Sequence, residues 1–342
     1  MRIHTVAVGG LHTLVCSDEG VAYSFGCGEC GQLGHVGQAN QHTPRVIEAL
    51  RGWHISAVAA GGDHSLALSE AGALYSFGCG ANGQLGHGDD DDDHDPNLDD
   101  GENQHTPRLV AALRGMRVSA LAAGEWHSLV LSEAGDIYSF GTGRDGELGH
   151  GDLDCQSTPR PMLALRGVRM GAVAAGLYYS LMVSTAGRLY SCGYGEHGHG
   201  GHGDSEDHPT PRLVAGLEDV RVSAVAAGKA HCLALSEGKV YSFGSGTHGR
   251  HDHTPRVVAG LQGVRVCSVA AGDVTSLAVT AGGEVYGWAA GVRAGGEVYG
   301  WEDAGVDDDE VAHPMLGLEL TEHGADQLVP CKYLGLRLRM AL

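Results

Sequence analysis

A run of small apolar residues ending in glycine, followed by two stretches in which apolar and polar residues alternate, recurs along this chain. The clearest copies read AVAAGGDHSLALSEAGALYSFGCGANGQLGHG from Ala57 and ALAAGEWHSLVLSEAGDIYSFGTGRDGELGHG from Ala120. Alternation with period two sends successive side chains to opposite faces of a strand, so Val58 to Gly61, Ser65 to Leu68 and Ala73 to Phe77 are predicted as three strands of a meander. The Ser-Glu-Ala-Gly segment between the last two is a tight turn. Its glycine, repeated at Gly20, Gly72, Gly135 and Gly187, supplies the positive φ that side-chain-bearing residues adopt only at a cost. A weaker fourth strand is predicted at the Thr-Pro-Arg segments that begin at Thr43, Thr106, Thr158, Thr210 and Thr254, where proline suits a sheet edge.

Six anchor glycines, Gly9, Gly61, Gly124, Gly176, Gly228 and Gly272, mark the copies at spacings of 52, 63, 52, 52 and 44 residues. Periods of this length belong to repeat architectures, in which no single unit buries its own apolar face. Four-stranded meanders repeated around an axis close into a propeller. The expected fold is therefore all-β, a β-propeller of four-stranded blades with six recognisable repeats. Repeats are expected over residues 1–301, with a diverged segment over 302–342 that completes the last blade. The N-terminal strand is expected to pair with C-terminal residues. The Tyr-Phe pairs Tyr23 and Phe25, Tyr75 and Phe77, Tyr138 and Phe140, and Tyr241 and Phe243 share a strand face and are expected to fill the space between blades.

The pattern breaks in three places. Asp89 to Glu102 reads DDDDDHDPNLDDGE and lengthens the second unit. Such dense like charge is expected to remain a solvated loop; its interaction candidates are Asp89, Asp90, Asp91, Asp92, Asp93 and Asp95. It lacks the sixth-position glycine and final glutamate of an EF-hand loop. The fifth unit has lost its Gly-Gln-Leu-Gly segment, and AGGEVYGW occurs twice, at Ala281–Trp288 and Ala294–Trp301.

With 42 acidic against 22 basic residues the formal charge is -20. That opposes a nucleic-acid partner, whose phosphates are bound through Lys and Arg, and favours a basic protein surface. No apolar stretch approaches the roughly 18 residues of a membrane span. Nine cysteines, an odd number scattered through the repeat, point to free thiols in the cytoplasm or nucleus rather than a disulfide framework.

His12, His64, His127 and His231 stand three residues past their anchor glycines. A position repeated with the blade points to a repeated structural hydrogen bond, so Gly61 with His64, Gly124 with His127 and Gly228 with His231 are expected as structural pairs. His197, His199, His202 and His208, and His248, His251 and His253, are looser sets without the fixed geometry zinc prefers. Cys27 and Cys30 form a lone Cys-x-x-Cys with no second pair. The chain contains no phosphate-loop string, nucleophile elbow or His-Glu-x-x-His. No catalytic residue, cofactor or metal is expected.

The order Ala-Gly-x-x-His-Ser, Gly-x-x-Tyr-Ser-Phe-Gly, Gly-Gln-Leu-Gly-His and Thr-Pro-Arg resembles the regulator of chromosome condensation repeat over residues 1 to about 290. The resemblance implies a seven-bladed propeller, whereas six units are visible. It also implies three possible roles. The first is a non-enzymatic protein-interaction scaffold. The second is guanine nucleotide exchange on a Ran-like small GTPase. The third is UV-B perception, for which the clustered tryptophans of that receptor type are missing: only Trp53, Trp126, Trp288 and Trp301 are present.

Overall fold

The computed structural model describes residues 2–88, 103–245, 252–289 and the backbone of Cys331–Lys332. The acidic insertion, His248, His251, Trp301 and the rest of the C-terminal segment lie outside these residues. Six four-stranded antiparallel sheets stand in a ring as a β-propeller. Blade 2 serves as the pattern: its strands are Ile55–Ala60, His64–Ser69, Leu74–Gly78 and Gln104–Leu109, hydrogen-bonded in chain order. The other blades span residues 3–46, 118–161, 170–213, 224–257 and 266–289, the last joined by Cys331–Lys332 beside its third strand. The first strand of blade 1, Ile3–Val8, pairs with His12–Ser17 of its own blade; the C-terminal residues expected to pair with it lie outside the described residues. No helix among the described residues is long and apolar enough to cross a membrane.

Local chemistry sets these strands. In blade 2 the register pairs Ala59 with Leu66 and Leu66 with Ser76. The turn between the second and third strands is clamped by Ser69, whose Oγ accepts from Ala73 N at 3.1 Å, while Gly72 takes φ +81°. Ser132 and Ser184 accept in the same way from Asp136 and Arg188 N. After the fourth strand a single 3-10 turn buries one leucine, Leu50, Leu113, Leu165 or Leu261, between blades.

The core lies between sheets rather than within them. Five apolar clusters join blades 1 to 2, 2 to 3, 3 to 4, 4 to 5 and 5 to 6. In each, two second-strand residues of one blade, such as Leu66 and Leu68, meet one third-strand residue of the next, a ring such as Phe140 in every cluster but that of blades 3 and 4. Phe77, Phe140 and Phe243 are fully buried, Cys192 takes the same place in blade 4 and Trp288 in blade 6. Burying such a ring contributes on the order of 1.5–3 kcal/mol, and truncating it adds a cavity cost. Phe140→Ala should lose about 3–5 kcal/mol of stability, measured by urea unfolding; a loss below about 1 kcal/mol would contradict the inter-blade location of the core.

Candidate interaction face

The end of each blade is built on the Gly-x-x-His turn. The anchor amide donates to the carbonyl three residues on, as in Gly61 N to His64 O at 2.9 Å and Gly124 N to His127 O at 2.9 Å. This folds the imidazole back over the glycine. A Cβ on Gly61 would lie 2.2 Å from His64 Cε1, and one on Gly124 2.4 Å from His127 Cε1, so no larger residue fits without moving the ring.

From that position the ring reaches across the blade boundary. His12 Nε2 meets Ser65 Oγ at 2.8 Å, His64 meets Ser128 at 3.0 Å, His127 meets Ser180 at 2.9 Å and His231 meets Ser276 at 2.9 Å. Ser65, Ser128 and Ser180 spend their single hydroxyl hydrogen on the carbonyls of Gln32, Gln84 and Glu147 in the preceding blade, at 2.7, 2.8 and 2.7 Å. Each serine oxygen must therefore accept, which fixes His12, His64 and His127 as Nε2–H tautomers. Tyr179 replaces the histidine of blade 4, and its hydroxyl lies 2.7 Å from Gly228 O and 2.8 Å from His231 O, in the next blade. There Cys232 stands in place of the serine and donates to His199 O at 3.4 Å.

In blades 1 to 4 the third strand runs into a glycine-rich loop. Gly31 and Gly34, Gly83 and Gly86, and Gly146 and Gly149 all have positive φ. The loop ends in a histidine that closes on its own blade: His35, His87 and His150 bond Ser24, Ser76 and Ser139 at 3.0–3.1 Å. Blade 4 makes the same loop from Gly198-His199-Gly200-Gly201, with His202 on Ser191 at 2.9 Å and His199 stacked on Tyr179 at 4.9 Å. Sequence reading treated those histidines as a loose set. The signal that finds them is spacing, since His202 follows Ser191 by the same eleven residues that separate His150 from Ser139. Cys27 and Cys30 are unbridged thiols; burial, with Asp63 and neighbouring thiols, pushes Cys30 up to about 11. Among the described residues no group of three or more His, Cys, Asp or Glu is placed to hold a metal.

With the first and fourth turn positions locked, the two between them vary. They are Gly62-Asp63, Glu125-Trp126, Leu177-Tyr178, Lys229-Ala230 and Asp273-Val274 in blades 2 to 6. Glu125 is held above the usual carboxylate range, first by burial and then by Asp273 and Asp63, with Lys229 opposing. Those groups sit on the anchor turns of blades 2, 3, 5 and 6 and are near enough to act on the Glu125 carboxyl. The loops add Asp145, raised by burial and by Asp207. Beside them Tyr178 and Tyr194 make an edge contact at 6.4 Å, and Tyr194 OH bonds Glu196. Half-buried aromatic rings and mutually repelling carboxylates thus share one face.

The buried titratable groups give this end of the molecule a pH dependence. Burial lowers His12, His127 and His231 to about 4 and His64 to about 3. Groups depressed on folding stabilise fully above their ordinary value of about 6.5, and lose that contribution as pH falls through their folded values. Glu147 has the opposite sign. Fully buried, it accepts from Asp145 N at 2.9 Å, while its Oε1 has no partner. Burial foremost pushes it up to about 7, so its ionisation destabilises the fold as pH rises from about 4.5 to about 7. Stability should therefore fall as pH drops from 6.5 to 4, at a slope approaching roughly 5 kcal/mol per pH unit for four histidines. Urea unfolding across that range tests this, and a flat profile would refute it. Glu147→Gln, the residue type present at Gln32 and Gln84, should raise stability at pH 8 by up to about 3 kcal/mol and change little at pH 4.

A ring of four-stranded blades joined by a repeated hydrogen-bonded anchor turn defines a class of propeller. Residues 19–68, 71–131, 134–183 and 186–235 match the regulator of chromosome condensation (RCC1) repeat, and the chain belongs to that family. It is 37% identical over 245 residues to the ultraviolet-B receptor UVR8 of Arabidopsis thaliana, covering 71% of this chain and 53% of that protein. It is 39% identical over 253 residues to the human E3 ubiquitin-protein ligase HERC2, covering 72% of this chain and 5% of that protein. The chain thus spans about half the length of the first relative and a small part of the second. Among solved structures it resembles Prp20p of Saccharomyces cerevisiae, studied for its binding to Gsp1p and histones, with a TM-score of 0.70 at 28% identity, covering 84% of this chain and 72% of that one.

Proposed function

We propose that this chain is a protein-interaction propeller that holds a basic segment of its partner on the acidic, aromatic face described above. The observation that carries the reading is the grouping of Asp63, Glu125 and Asp273 from three blades, where burial foremost raises Glu125 and the two acids add to it against the lowering effect of Lys229. A cationic side chain placed among them relieves that repulsion, and Trp126, Tyr178 and Tyr194 offer ring faces to Arg or Lys. The -20 formal charge adds long-range attraction for the same partner. Loops on a rigid scaffold are where such binding is placed.

Prp20p and its Gsp1p binding support a second reading, guanine nucleotide exchange on a small GTPase. Exchange needs no acid or base from the propeller, only tighter binding of the open GTPase than the closed one. UV-B perception has less support in the residues. Trp53 packs on Tyr75 at 5.5 Å and Trp288 is buried between blades, and no ring contact joins two tryptophans among the described residues.

A lysine- and arginine-rich peptide, titrated by fluorescence anisotropy, should bind the wild-type protein with an affinity that falls as salt rises. Glu125→Lys with Asp273→Lys should weaken it at least tenfold, about 1.4 kcal/mol. Equal affinity for wild type and variant would remove the acidic face from the reading. Release of labelled GDP from a panel of small GTPases distinguishes exchange; unchanged rates at excess propeller would dismiss that alternative.

A further inference from the structure

The blades have a second end, opposite the anchor turns, where the first strands begin and the turns between second and third strands lie. The residue entering a first strand rests there on the turn glycine of the preceding blade. A Cβ on Gly135 would lie 2.4 Å from Arg169 Cγ, and one on Gly187 2.4 Å from Arg221 Cγ. Arg169 donates to Glu133 O at 3.1 Å, and its own carbonyl accepts at 2.9 Å from Thr185 N, on the turn of blade 4 that leads to Arg188. Arg166 borders the same Gly135 turn. Arg166, Arg169 and Arg188 thus stand together at this end, and all three are exposed.

No carboxylate answers them. Glu48, Glu133, Asp152, Asp204 and Asp252 pair with other arginines, but none of the described residues forms an ion pair with Arg166, Arg169 or Arg188. The sequence gives the reason: in a chain with 42 acidic residues to 22 basic, residues 155–195 hold four arginines and no Asp or Glu. Beside the arginines the surface is apolar. Leu163 and Val168 are 64% and 36% exposed, and a groove of about 270 Å³ opens among Ile137, Tyr138, Met162, Leu163 and Arg166, with Asp136 also lining it. The same place in blade 2 holds a groove of about 160 Å³ among Leu74, Leu109, Leu113 and Met116, lined as well by Arg114 and Arg117. Both fall short of the roughly 300–1,000 Å³ of a small-molecule site and suit single side chains.

We propose that this end of blades 2 to 4 docks an acidic segment of a partner protein, with its carboxylates on Arg166, Arg169 and Arg188 and its apolar side chains in the two grooves. Charge complementarity selects the occupant. A guanidinium takes a carboxylate through two parallel hydrogen bonds, and these three have no existing ion pair to break. The -20 formal charge of the chain does not forbid it, because at physiological ionic strength exposed charges are screened beyond about 8 Å. An approaching carboxylate therefore meets the nearest arginines. This surface is opposite in place and in charge to the acidic face at the anchor turns, and does not depend on it.

A fluorescein-labelled peptide of Asp and Glu carrying two leucines, titrated with the full chain, should bind with an affinity that falls as salt rises. Arg166→Glu with Arg169→Glu should weaken it by about tenfold or more. Lys239→Glu with Arg265→Glu, an equal change of charge at exposed positions where blades 5 and 6 meet, should leave it within about twofold. Exchanging the peptide's leucines for serine needs no variant protein, and should cost about tenfold through the emptied grooves. No binding to the wild-type chain, an equal loss in the two double variants, or indifference to the leucines would overturn the proposal. So would stronger binding of phosphatidylserine vesicles than of the peptide, which would assign the arginines to a lipid surface.

Discussion

Much in this molecule depends on one hydrogen bond made again at four blade boundaries, from a buried imidazole to a hydroxyl on the next sheet. An isolated blade has two apolar faces and nothing to cover them. Packing alone would hold neighbours together without setting their angle or height, because dispersion and the hydrophobic effect are not directional. The His64 to Ser128 bond, with Ser128 returned to the Gln84 carbonyl, fixes both. Three parts of the repeat that lie far apart in sequence, the anchor turn, the second strand and the glycine-rich loop, meet at that one oxygen.

Blade 4 shows how tightly the parts are coupled. A tyrosine hydroxyl reaches further from the backbone than a histidine Nε2, so Tyr179 overshoots the position where a serine would stand. Its hydroxyl instead reaches the Gly228 and His231 carbonyls, and the residue in the serine's place is Cys232. His199, where other blades carry Gln or Glu, lies flat against the tyrosine ring. Three substitutions in three separate segments preserve one joint.

Much of this was legible in the sequence, for a physical reason. Strand alternation, turn glycines and the fixed interval from anchor glycine to histidine are local patterns, and the repeat prints each of them several times. Three of the Tyr-Phe pairs, at Tyr75, Tyr138 and Tyr241, fill the spaces between blades as their size suggests, whereas Tyr23 and Phe25 are partly exposed and join none of the inter-blade clusters. What stayed hidden needs a neighbour. Gln32 and Glu147 read alike along the chain, yet Gln32 gives its amide to Asp63 at 3.2 Å while the Glu147 carboxylate has an oxygen without a partner. The convergence of Glu125 with Asp63 and Asp273 joins residues more than 60 positions apart, and only the ring brings them together. Burial is equally illegible, since the partly exposed Leu277 and the buried Leu233 come from nearly the same string of letters.

The serine's lone hydrogen gives the ring a sense of direction. Every imidazole crossing runs from a lower-numbered blade to a higher one, so an inner blade such as blade 2 or 3 holds one half of two different latches, a giver on one side and a receiver on the other. A gene segment that copies a whole period therefore carries a matched pair of halves and can be spliced in anywhere along the circle, whereas one that copies half a period leaves an orphan. The natural module of inheritance here is the interval between latches, and the ring can lengthen or shorten only by whole intervals.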